Sequence, residues 1–257
     1  MDLPTVTELR RPRHRDELDV RPGAAVLAGG TWLFSEPQDH LSTLVDVTGL
    51  GWTPVTRTAD GISVAATCTI AELVAAGVPL ATECSRALAA SFKIAHMATV
   101  GGNIALALPA GSMTSLAVAL DATAVLWCGP TQRRLPVLDL VTGVRTTALA
   151  PGEVLRSIEL PSTASTARTA FRRAALSAEG RSGSVVIGRR DATGFVLTVT
   201  AAVTRPYRLA FPDLPSHAEL VNALDTVPSW YDDPHGAPDW RRHVTGLLAE
   251  EIREELA

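Results

Sequence analysis

Two glycine pairs constrain this chain more than any other feature. The first lies in Val26-Leu27-Ala28-Gly29-Gly30-Thr31-Trp32-Leu33, the second in Ala98-Thr99-Val100-Gly101-Gly102-Asn103-Ile104. Each follows a short apolar run and reads as a tight turn leaving a strand. Paired glycines let the backbone take positive φ and remove the side chains that would hold a ligand away. Successive N–H groups then point into one concavity, which suits an anion. Either pair alone is an ordinary turn. Together, the two turns suit the two ends of a pyrophosphate.

The 257 residues suffice for one large domain or two modest ones, and with 46% apolar residues the chain is a folded globular protein. The net charge is −4 with scattered basic residues, which argues against a nucleic-acid partner. A phosphate ligand must then be held mainly by backbone N–H groups. Cys68, Cys84 and Cys128 are too few and too dispersed for an iron–sulfur or zinc site. They read as reduced, mostly buried thiols of a cytoplasmic protein. No metal site is expected, and no histidine shows ligand spacing; His96, just before the second glycine pair, reads as structural. No run is long enough to span a bilayer. Arg10-Arg11 is followed by Pro-Arg-His-Arg-Asp-Glu rather than an apolar stretch, so it does not read as a twin-arginine signal.

Along the chain, residues 24–28 read as a buried strand and 44–47 as a second. Residues 53–66 form a hairpin with Asp60-Gly61 as its two-residue turn. Thr69 and Glu72 make a capping box opening a short helix that Gly77 ends. Residues 80–92 are spaced as one helix. Ser112 is the N-cap of an apolar helix over 113–120. Residues 124–127 and 154–160 are strands, and 161–169 is a Ser/Thr/Ala linker. Strands follow at 169–176, 183–188 and 194–204, with a turn at 192–194. Ser216 and Glu219 form a second capping box, opening a helix to about Leu224. The final helix over 240–256 places Trp240, Val244, Leu247, Leu248, Ile252 and Leu256 on one face. The pattern is α+β, with a smaller second domain of strands and helices.

Familiar nucleotide sites are absent: there is no GxxxxGK[ST], no GxGxxG after the first strand and no GxSxG elbow. No general acid–base pair stands out as catalytic. The glycine segments, together with Leu-Val-Asp-Val at 44–47, Pro109-Ala110-Gly111, Ala119-Leu120-Asp121-Ala122, the stretch Gly152 to Pro161 and Ala170-Phe171-Arg172-Arg173, resemble the FAD-binding subunit of the molybdenum hydroxylases. That group includes xanthine dehydrogenase and carbon monoxide dehydrogenase, and the resemblance covers essentially the whole chain. It implies a two-subdomain PCMH-type FAD-binding domain over 1–162. A small C-terminal α+β domain over 168–257, with a three-stranded sheet and helices, would follow. It also implies that Leu27, Ala28, Gly29, Gly30, Thr31 and Trp32, with Thr99, Val100, Gly101, Gly102 and Asn103, hold the FAD pyrophosphate. Leu155 would lie near the flavin or adenine, and Arg172 stands where the family often has a Lys near the isoalloxazine end. Three positions depart from the family pattern. Trp32 replaces a small polar residue and reads as core packing ahead of flavin stacking. Ser112 replaces an Asp that contacts ribityl or ribose hydroxyls. Ala95-His96-Met97 replaces an Arg-Asn pair.

In that family, substrate oxidation occurs at a molybdenum cofactor on a large partner subunit. Electrons reach FAD through [2Fe–2S] centres on a small partner and pass on to NAD, oxygen or another acceptor. The resemblance therefore implies an electron-transfer flavoprotein subunit. Two other readings are a stand-alone flavoenzyme with its own small-molecule substrate and a flavin-free scaffold domain.

Overall fold

The computed structural model describes residues 2–257. Strands β1 (Glu8–Arg10), β2 (Ala24–Leu27) and β3 (Thr43–Asp46) form a parallel sheet in the order β1-β3-β2. The central strand is the buried one. β2 lies at the edge and Val26 is exposed, so the buried strand expected over 24–28 is only half covered. Asp46 ends β3 one residue early, because its side chain accepts the Thr48 N–H at 3.0 Å and turns the chain into a 3-10 helix.

β4 (Val55–Thr58) and β5 (Gly61–Ala65) form the expected hairpin. Thr58 pairs with Gly61, so the two loop residues are Ala59 and Asp60, one position earlier than the Asp-Gly signal suggested. Helix α1 (Ile70–Ala75) carries the Thr69/Glu72 capping box. Where one helix was expected over 80–92 there are two, α2 (Ala81–Ala87) and α3 (Phe92–Met97). The break is made by Ala89 at φ +53 and by Ser91, which caps α3. α4 (Val100–Leu106) and α5 (Ser112–Ala119) follow, with every residue of α5 buried. Next come β6 (Thr123–Cys128), β7 (Thr131–Pro136), α6 (Val137–Leu140), β8 (Val141–Gly143), β9 (Thr146–Thr147) and β10 (Val154–Pro161). β10 inserts between β5 and β6 to give a sheet ordered β4-β5-β10-β6-β7. The linker expected over 161–169 is instead α7 (Ser162–Ser165) and the start of the next strand.

β11 (Arg168–Ala174), β12 (Ser184–Asp191), β13 (Gly194–Thr200) and β14 (Tyr207–Phe211) make an antiparallel meander of four strands rather than the expected three. The strand expected to run to residue 204 stops at Thr200 because Ala201 turns to φ +61, and β14 then adds an edge. One face of this sheet packs on α5, which also touches α2 and α4, so Val185, Ile187 and Ala201 join the first core. The other face packs on α9 (Pro238–Glu255), beyond α8 (His217–Asp225), which opens on the second capping box at Ser216 and Glu219. The buried side of α9 is Arg241, Thr245, Ala249 and Ile252, while Leu247 is 55% exposed, so the apolar face read from the sequence is rotated. The cause is a polar interface. The Arg241 guanidinium donates to the carbonyls of Gly183 (2.7 Å), Ala201 (2.5 Å) and Gly236 (2.8 Å) and pairs with Asp233. Thr245 bonds Ser184 at 2.7 Å.

Candidate functional site

β2 runs directly into the first glycine segment, where the two glycines do different work. Gly30 takes φ +66. Gly29 has an ordinary φ, but a Cβ there would lie 1.8 Å from the Met97 carbonyl oxygen. Gly29 is therefore required by close packing on the peptide that leads into the second segment. Within the loop, the Phe34 N–H donates to Gly30 O (3.0 Å), and the Ser35 N–H (2.8 Å) and hydroxyl (2.7 Å) donate to Trp32 O. Among the described residues, none of the N–H groups of Gly29, Gly30, Thr31, Trp32 and Leu33 donates to another protein group. A row of unpartnered amides on a half-buried loop is an anion-binding surface.

The second glycine pair is not a turn leaving a strand. It lies in the first turn of α4, capped by Thr99, and its amides are committed. Val100 N–H donates to Cys68 O (2.9 Å), Gly101 N–H to Ala66 O (2.9 Å) and Asn103 N–H to Thr99 O (3.0 Å). Gly102 N–H donates to Thr99 Oγ1 at 3.1 Å. The two-ended amide grip expected from the sequence is thus one-ended. Gly101 is buried, where a Cβ would meet that of Ala66 at 2.4 Å, whereas Gly102 is exposed and offers a surface without a side chain.

Other expected residues converge on these two segments. Leu27 lies beneath Gly30. Asn103 Oδ1 accepts the Met113 N–H at 3.0 Å and so takes over part of the capping of α5. Ser112 is the first helical residue rather than the N-cap, a position held by Gly111. It is buried and its Oγ has no partner. Leu155 is buried on β10 beside a bulge at Arg156, whose carbonyl accepts the Ala66 N–H at 3.0 Å. The turn before it is pinned by Glu153, bonded to Arg133 (2.6 Å) and to the Ala150 N–H (2.8 Å). The Arg133 guanidinium holds the Glu153 carboxyl below its usual range.

Arg172 is not brought to the glycine segments. It pairs across the sheet with Val186, on the α9 side, and its guanidinium forks onto Glu251 (2.8 Å) and Glu255 (2.7 Å). Arg173 pairs with Val185 and faces the first core instead. Two-residue alternation would have distinguished the two arginines had the sheet faces been assigned. Trp32 is half-buried, and its indole N–H is fully enclosed without a partner. His96 is exposed, with its ring against Phe92 on α3 and Nδ1 2.9 Å from the Phe92 carbonyl. Arg145 escaped the sequence reading altogether, because it lies in a short turn with no periodic pattern around it. Its guanidinium sits 5.5 Å over the Trp32 ring.

Residues 12–163 match the family model described as the FAD binding domain in molybdopterin dehydrogenase. The chain belongs to this family. The chain shares its fold with several solved structures. Quinoline 2-oxidoreductase from Pseudomonas putida 86 superposes with a TM-score of 0.82 at 20% identity, covering 99% of this chain and 98% of that one. A reconstituted CO dehydrogenase from Oligotropha carboxidovorans superposes with a TM-score of 0.83 at 20% identity over the same shares. The glyceraldehyde dehydrogenase medium chain of Sulfolobus acidocaldarius is 33% identical over 90 residues, 35% of this chain. That match spans 32% of the relative's length. The α+β architecture of the FAD-binding family is thus the architecture of this chain. No described helix is long and apolar enough to cross a membrane.

Proposed function

We propose that the chain binds FAD non-covalently and serves as the electron-transferring flavoprotein subunit of a molybdopterin-dependent oxidoreductase. Residues 1–162 would form the FAD-binding unit and 168–257 a C-terminal domain like that of carbon monoxide dehydrogenase flavoprotein. The observation that carries this reading is the row of unpartnered amides from Gly29 to Leu33, pressed by Gly29 onto the peptide before Thr99. Two of the enclosed polar atoms without partners, Trp32 Nε1 and Ser112 Oγ, fit a ligand rich in hydrogen-bonding groups.

When bound, FAD supplies the redox chemistry. The chain's own residues bind and orient it. The Gly29–Leu33 amides hold the diphosphate. Gly102, lacking a Cβ, lets a flat ring approach α4. The Ser112 hydroxyl and the Asn103 amide bond ligand hydroxyls, and Leu155 supplies an apolar wall that excludes water. Arg173, rather than Arg172, lies on the first-core side of the C-terminal sheet. No His or Cys lies in 27–33 or 99–103 to form a covalent link.

Among the described residues no cluster of His, Cys, Asp or Glu is placed to hold a metal ion. Iron–sulfur and molybdopterin centres would then be carried by a small and a large partner chain, with NAD or oxygen as acceptor. The test is purification from the native host. The expected result is a yellow complex with two partner chains that releases FAD on denaturation. A colourless chain that stays colourless with added FAD would overturn the flavin reading. A yellow chain that runs alone and oxidises an organic substrate would overturn the subunit reading.

A further inference from the structure

The diphosphate seat lacks a charge of its own. Residues 24–35 contain no Lys or Arg, residues 97–113 contain no charged residue at all, and the chain's net charge is −4. A dianionic ligand held only by neutral amides gains from a cation nearby. The fold brings one. Arg145 sits in the β8–β9 turn at φ +54, a backbone conformation that costs energy for a non-glycine residue. It is held there by its N–H donating to Ala107 O at 2.9 Å.

That turn lays the guanidinium over the Trp32 ring, 5.5 Å from its centroid, and Trp32 lies within the run of unpartnered amides. An aromatic face orients a guanidinium while leaving its N–H edge open. Among the described residues the Arg145 side chain makes no hydrogen bond. Its nearest carboxylate, Glu36, is 3.6 Å away, with the two side chains 52% and 45% exposed. An exposed pair of that length is weak and readily exchanged.

On the FAD reading above, we propose that Arg145 is the cation of the diphosphate site, held on Trp32 and shared with Glu36 until the ligand takes it. Trp32 acts here as a positioning residue.

The test is FAD affinity of the full apo chain, measured by quenching of flavin fluorescence over a series of salt concentrations. Arg145→Gln should weaken FAD roughly tenfold, the scale of one lost charge-assisted hydrogen bond. It should also flatten the salt dependence. Glu36→Gln should tighten FAD a few-fold, a gain that misfolding cannot produce. If the wild-type chain binds no FAD, the flavin reading fails and this inference goes with it. If the wild type binds but Arg145→Gln matches it in affinity and salt slope, Arg145 is not the cation and the flavin reading stands. Weakened binding with an unchanged salt slope also overturns the assignment. If Arg145→Gln does not fold, Glu36→Gln decides: tighter binding supports the assignment, and unchanged or weaker binding overturns it.

Discussion

At the scale of single residues, the four motif glycines have three roles: Gly30 supplies a positive φ, and the other three divide between packing and surface. Gly29 and Gly101 exist for close approach, to Met97 and Ala66 respectively, while Gly102 faces outward. Gly101→Ala should lower stability by about 1–3 kcal/mol, visible as a lower thermal midpoint, because the added methyl has nowhere to go. Gly102→Val should leave the thermal midpoint within a few degrees, because its Cβ meets only the Thr99 hydroxyl oxygen, at 2.9 Å. It should nevertheless abolish FAD binding. Full flavin occupancy in that variant would show that Gly102 is no part of the site. The thiols follow burial as well. Burial pushes the Cys68 thiol up to about 12 and the Cys84 thiol up too, whereas Cys128 is exposed. A thiol reagent should label Cys128 alone in the native chain and all three cysteines after unfolding. The sequence marked both glycine pairs as turns leaving strands, but of the four glycines only Gly30 takes a positive φ, and the second pair lies in a helix. Which amides stay unpartnered was not legible either, because the acceptors of Val100 and Gly101 are Cys68 and Ala66, which only the tertiary fold brings alongside.

At the scale of elements, what is local in sequence was readable. Both capping boxes form as expected, since each is closed by residues three apart. The phase of α9 was not readable, because Arg241 is only 1% exposed, held by carbonyls from distant segments. Arg241→Ala would take the guanidinium away from Asp233 and from those carbonyls. It should cost about 3–5 kcal/mol in urea or thermal unfolding; a loss under 1 kcal/mol would mean that water replaces the guanidinium. Glu250, on the same helix, is held at about 2 by the Arg253 guanidinium, with His217 adding to the effect. A carboxyl depressed in the folded state stabilises fully above its ordinary value of 4.5 and loses that contribution as pH falls toward 2. Its side chain is 25% exposed, so solvent screening limits the gain. Glu250→Gln should therefore cost at most about 1 kcal/mol at neutral pH. The gap between wild type and variant should close between pH 4.5 and 2 in unfolding curves. A pH-independent gap would remove the charge from the explanation.

At the scale of the whole molecule, the last sheet and the flavin-family region are joined through α5. Ser115 on that helix bonds Thr200 on β13 at 2.6 Å, and Arg189 on β12 reaches back to the Ala119 carbonyl at 3.1 Å and to Asp121. The overall α+β plan was visible in the sequence as alternating short strands and helices. The fourth strand of the last sheet was not, since it is an edge strand whose existence depends on the turn at Ala201. Phe34, Phe92, Ile94 and Met97 are exposed around the glycine segments, with Phe92 at 78%. An apolar rim of this kind accords with a site that is completed by a ligand. On the proposed function, the amides from Gly29 to Leu33 seat a diphosphate. Parallel titration of the apo chain with FAD and FMN tests it most directly, because FMN carries the same flavin without the diphosphate bridge. A diphosphate seat in this loop should give saturable FAD binding at least tenfold tighter than FMN. Equal affinity for the two, or no binding of either, would contradict it.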